Sequence, residues 1–143
     1  MRDVTTKVLL VIIGGGNALV GLWAAFAPQS FYDSFPGGGH HWVSIDGPFN
    51  EHLVRDVGTL NLALMAVAIA ALVRPSRFLV QVVCAAVLIY SSPHLLYHVA
   101  HLDPYDTSDK FALVGSLSVS VIAPIVLLLH SSRASDEAIT KVA

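Results

Sequence analysis

The sequence predicts an all-α integral membrane protein, a four-helix antiparallel bundle forming a single transmembrane domain over residues 1–143. Three observations carry this. Hydrophobic residues make up 55% of the chain and charged residues only 13%, and the mean hydropathy of +0.67 is far above that of an ordinary soluble domain. Four uncharged stretches, Val8–Tyr32, Val57–Val73, Phe78–Leu102 and Phe111–Ser132, approach or exceed the ~17–25 residues that a helix needs to cross a bilayer core. The basic residues Arg2, Lys7, Arg74, Arg77, Arg133 and Lys141 all fall on one side of such a bundle, which places both termini in the cytoplasm.

The first span is expected over 8–28. Its glycines weaken a helix in water, but in lipid they let a neighbour come close, and Gly14, Ala18 and Gly21 share a face by i+3 and i+4 steps. Asn17 on this span needs a hydrogen-bond partner inside the membrane, with Asn61, Ser116 and Ser118 as candidates. The run from Arg2 to Ala25-Phe26-Ala27 also has the outline of a signal peptide. Its apolar core exceeds the usual ~7–15 residues, so a retained span is expected.

Residues 29–50 form the longest loop, rich in aromatics and glycine through Phe35-Pro36-Gly37-Gly38-Gly39 and His40-His41-Trp42. Tryptophan and tyrosine favour the headgroup region. The loop is therefore expected to lie across the outer end of the bundle as a partial lid hinged at its glycines.

The second span is expected over 52–73, with Asn50 as N-cap and a Glu51–Arg55 pair at i,i+4. The third, 78–102, carries Pro93, which removes one ladder hydrogen bond and is expected to kink it. The fourth, 110–131, is capped by Thr107 or Ser108 and bent at Pro124. Cys84 is the only cysteine, so no intramolecular disulfide forms.

Chemistry is concentrated at the outer end. His94, His98 and His101 project from one face of the third span, and His52 and Asp56 are one turn apart at the start of the second. Ionisable side chains are costly at such depth and mark sites. Imidazole with carboxylate suits a divalent transition metal, Zn, Cu or Fe, with Glu51, Arg55 and Tyr97 behind the ligands. A b-type haem between His52 and His98, with room made by Gly58 and Ala63, is the redox version. The site faces the extracytoplasmic side of the cell membrane. Two other readings stand beside an accessory or redox-linked metal protein. One is a non-catalytic subunit of a larger membrane complex with structural histidines, and the other is a lipid or quinone binder with a cavity roofed by the aromatic loop.

A net charge of −2 with no basic stripe argues against a nucleic-acid partner. No phosphate loop, dinucleotide fingerprint or nucleophile–base pair is present.

The first span ends Gly21-Leu22-Trp23-Ala24-Ala25-Phe26-Ala27-Pro28, and the second opens Arg55-Asp56-Val57-Gly58-Thr59-Leu60-Asn61-Leu62-Ala63. These segments resemble small four-span bacterial membrane proteins of the broad DoxX-like type, with Gly-x-x-Ala-x-x-x-Pro followed by Arg-x-x-Gly-x-x-x-x-Ala. The resemblance implies a four-helix fold and association with redox or quinone-linked systems. The histidine motif lies outside it, so no functional residue is carried over.

Overall fold

The structure, a computed structural model, describes the backbone of residues 3–140 and the side chains of residues 3–132. Arg2 and Lys141 lie outside the described residues, as does the side chain of Arg133.

Helix α1, Val4–Phe26, opens on Asp3, whose carboxylate accepts hydrogen bonds from the Thr6 amide and hydroxyl, each at 2.9 Å. The Thr6 amide bond is the main reason that the Asp3 carboxyl lies well below the usual carboxylate range. Asp3 Oδ1 also lies 2.9 Å from His130 Nε2, which ties the first turn of α1 to the last span at the same end of the bundle. The chain breaks direction at Ala27. Pro28, with no N–H to extend the ladder, becomes the first residue of a short helix α2, Pro28–Ser34.

Gly37, Gly38 and Gly39 then turn the loop at φ of +100°, +68° and +88°, a region open to glycine at no steric cost. Asn50 caps α3, Glu51–Val73, by accepting from the Leu53 amide at 3.1 Å, as the sequence predicts. Ser76 likewise caps α4, Arg77–Ala100. The cap of α5, Thr107–Thr140, is Asp106 rather than Thr107 or Ser108, because its carboxylate accepts from both the Asp109 amide and the Ser108 hydroxyl at 2.8 Å. A carboxylate at that position also complements the helix dipole. Pro93 and Pro124 lie inside α4 and α5, and neither helix is interrupted there.

Among the described residues four helices are long and apolar enough to cross a membrane: Val4–Phe26, Glu51–Val73, Arg77–Ala100 and Thr107–Ser132. The 23 residues of α1 give a rod of about 35 Å, enough for a hydrocarbon core of about 30 Å. Their outward faces are apolar, with Ile89 at 77% and Phe111 at 78% exposure. Such a surface is stable against lipid and costly in water. This is a multi-pass membrane protein.

The helices form two close pairs, α1 with α3 and α4 with α5, with thinner contacts between the pairs. A Cβ added at Gly21 would stand 3.0 Å from the Leu62 amide nitrogen, and one at Gly58 would overlap the backbone of Ala24 and Ala25. Gly14 faces Ala68 at 3.5 Å. The glycines thus bring the α1 and α3 backbones together.

The half of the bundle nearest the α3–α4 turn is solid, built from Leu10, Leu64, Ala68, Val80, Val83 and Leu127. The half beneath the loop of residues 35–50, expected to be the outer one, is not.

Candidate functional site

Between the four spans, a cavity of about 610 Å³ opens above that core. Along α4 it is lined from Val87 to His98, about 16 Å of helix, so it reaches from mid-bundle to the outer loop. Phe31 of α2 and Phe35, Trp42, Val43 and Asp46 of the loop line its outer end. The aromatics hold this roof in place: Phe31 and Phe35 pack at 4.7 Å, and Phe35 and Trp42 meet edge-on at 6.1 Å. The expected lid is therefore a packed cover. His40 reinforces it, with Nδ1 2.6 Å from the largely buried carboxylate of Asp109 on α5.

Most polar groups in the walls are satisfied locally. The Asn17 side chain donates to the Ile13 carbonyl at 2.8 Å and not to Asn61, Ser116 or Ser118. One turn of its own helix suffices, which leaves Asn17 facing the cavity instead of bridging helices. Asn61 donates to the Val57 carbonyl at 2.8 Å and to the Tyr90 hydroxyl at 3.3 Å, linking α3 to α4. Ser116 and Ser120 bond back to carbonyls of α5. Ala18 is half-buried.

The outer end differs. His98 is buried, with Nδ1 3.8 Å from Asp46 Oδ2, too far for a direct hydrogen bond. Trp42 is equally buried. Neither His98 Nδ1 nor Trp42 Nε1 has a hydrogen-bond partner among the described residues. An unmade bond on a buried polar group costs about 1–3 kcal/mol, so two among the residues that line one cavity call for an explanation. Tyr105 organises this corner, its hydroxyl shared between the Trp42 carbonyl at 2.9 Å and Asp46 Oδ1 at 3.1 Å. Burial, and then the charge of Asp46, push the Tyr105 hydroxyl well above its ordinary pKa, so it stays a donor.

The five expected metal ligands do not converge. His94 and His98 both line the cavity, with rings 4.7 Å apart and Tyr90 stacked on His94 at 5.6 Å. His101 lies past the end of α4, exposed, with Nδ1 2.7 Å from the Tyr97 carbonyl and its ring stacked on Tyr97 at 4.3 Å. His52 and Asp56 pair with each other at 3.1 Å on an outward face, their side chains 87% and 60% exposed. The helical period that aligns them also rotates them away from Val54 and Gly58, which α3 buries. Among the described residues no group of three His, Cys, Asp or Glu side chains is arranged to hold a metal ion. Gly58, expected to make room for a haem, lies against the α1 backbone.

Glu51 and Arg55 form their expected pair at 2.8 Å. Arg55 also donates to the Ala25 carbonyl, one of the carbonyls that the end of α1 leaves without a helical donor. Trp42, Asp46 and Tyr105, which complete the corner around His98, come from two loops whose sequences carry no periodic signal. Only Asp46, an acid in an aromatic, glycine-rich stretch, hinted at it.

No protein family, curated protein or solved structure matches the chain.

Proposed function

We propose that this membrane protein binds a lipid-soluble small molecule in the cavity of its outer half, with the molecule's polar head at His98, Trp42 and Asp46 and its apolar body among the helices. The observation that carries this is the pair of buried, unpartnered ring nitrogens at one end of a space otherwise walled mainly by apolar side chains. A cavity of about 610 Å³ lies within the ~300–1,000 Å³ range of small-molecule sites, which combine apolar walls with a few convergent polar groups.

Access from the bilayer fits the walls. Ile12 and Leu19 on α1 and Val119 on α5 line the cavity and are at the same time 44%, 58% and 51% exposed. The seam between α1 and α5 is thus an entrance for a molecule already dissolved in lipid. Quinones and single-chain lipids belong to this class. From the basic residues Arg74 and Arg77 between α3 and α4, the roofed end faces away from the cytoplasm, in the cell membrane.

Metal or haem draws less support, since His52, Asp56 and His101 stand apart from His94 and His98. Mass spectrometry of the intact protein released from lipid nanodiscs, with elemental analysis and an absorption spectrum on the same sample, tests both readings. A co-purifying apolar molecule lost in His98→Ala supports the cavity reading. Stoichiometric metal or a Soret band, with no bound organic molecule, would replace it.

A further inference from the structure

The cavity's polar end selects among head groups, an inference that rests on the binding reading above. Trp42 Nε1–H can only donate, so its partner must bring an acceptor. An alkyl ammonium head has three donors and no acceptor, and leaves that N–H unmet. The Asp46 carboxylate stands 3.8 Å from His98, and a hydrogen bond from Tyr105 holds it at that corner. A carboxylate, sulfonate or phosphate head would meet it at close range, a juxtaposition of like charges that costs several kcal/mol. Among the described residues no lysine or arginine lines the cavity: Arg55 is engaged by Glu51 and the Ala25 carbonyl, and Lys110 lies outside the lining. His98 can either donate or accept across its two ring nitrogens.

We infer that the site takes an uncharged head group bearing a carbonyl or hydroxyl oxygen on a hydrophobic chain or ring, and discriminates against both anionic and cationic amphiphiles. The oxygen accepts from Trp42 Nε1, and a hydroxyl can also donate to a ring nitrogen of His98. Alcohols, ketones and quinones qualify. Free fatty acids at neutral pH, phospholipids and alkyl amines do not.

The test uses Trp42 as reporter, in full-length protein carrying Trp23→Phe, so that a single tryptophan remains. The protein is held in nanodiscs of zwitterionic lipid. Four probes share one medium-length chain with a bromine at its end and differ only in the head: alcohol, methyl ketone, sulfonate and primary ammonium. Saturable quenching of Trp42 that the unbrominated alcohol reverses reports occupancy. The expected result is half-saturation by alcohol or ketone at a concentration at least ~10-fold below sulfonate and ammonium, the scale that several kcal/mol of charge repulsion allows. Asp46→Asn should close most of the gap between sulfonate and alcohol. Sulfonate or ammonium binding as tightly as alcohol would overturn the head-group assignment and leave the binding reading standing. Failure of all four probes to quench saturably would overturn both.

Discussion

His98 on α4 and Asp46 in the outer loop face each other across 3.8 Å, a gap too wide for a direct hydrogen bond and small enough to keep each in the other's field. The two residues are far apart in sequence and on different elements. Their meeting turns one histidine of a row of three into the polar end of a cavity.

Substitution at His98 and at His52 should therefore have opposite consequences. His98→Ala removes a group lining the cavity and should abolish retention of the co-purified molecule. His52→Ala removes half of an exposed pair worth no more than about 1 kcal/mol and should leave both retention and thermal stability unchanged. Intact-protein mass spectrometry with a melting curve for each variant checks the contrast. Equal loss in both would mean that the α3 histidine reaches the site after all.

Gly58→Ala should damage the fold, because the new methyl overlaps the Ala24 and Ala25 backbone, which cannot rotate away as a side chain could. Overpacking of this kind costs about 1–3 kcal/mol or more. Gly16→Ala, with nothing within 4 Å of the added carbon, should be neutral or slightly stabilising through helix propensity. Unfolding of the two variants in the same detergent distinguishes them.

Tyr105→Phe deletes the hydroxyl that joins the Trp42 carbonyl to Asp46. The loop should loosen, seen as faster backbone hydrogen exchange at Phe35–Asp46, at a cost of about 1–3 kcal/mol for the abandoned acceptors. Burial of that hydroxyl, with the charge of Asp46 beside it, gives the wild type an alkaline limit. A hydroxyl whose folded pKa is raised contributes stability that is complete below its ordinary value of 10.0 and lost as pH rises beyond it. Wild type should weaken above that value more steeply than Tyr105→Phe does.

Asp3→Ala should shorten α1 by its first turn and cost about 1 kcal/mol, the usual value of a lost N-cap. Because the folded Asp3 carboxyl is held below its ordinary value of 3.8, its contribution is present above that pH and disappears as pH falls below it. An acid titration followed by amide exchange at Thr6 and Lys7 should show this loss in wild type. The alanine variant should show no such step.

Several parts of the fold were legible in the chain because they depend on local chemistry. Uncharged runs of span length dictate helices in lipid, where every backbone amide must find its partner within the segment. Asn50 caps α3 as read, and Gly14 and Gly21 lie on the face that meets α3. The cap of α5 was misplaced by one or two residues, since Asp106, Thr107 and Ser108 can all accept from a free amide and only the backbone path selects among them. The Asn17 amide satisfied itself one turn back on its own helix.

The amino-acid sequence by itself determined the class of protein, the number of spans, their close packing through glycine and the crowding of histidines at one end. These follow from composition and from the 3.6-residue period, which act within a single segment. Only the tertiary structure decided which histidines share a space. Rotation of α3 about its axis turns His52 and Asp56 outward while α4 turns His94 and His98 inward, and that rotation is set by where Gly58 and Gly21 let two backbones touch. Trp42, Asp46 and Tyr105 arrive from loops with no periodicity to reveal their direction, so the cavity's polar end exists only once the chain has closed over it.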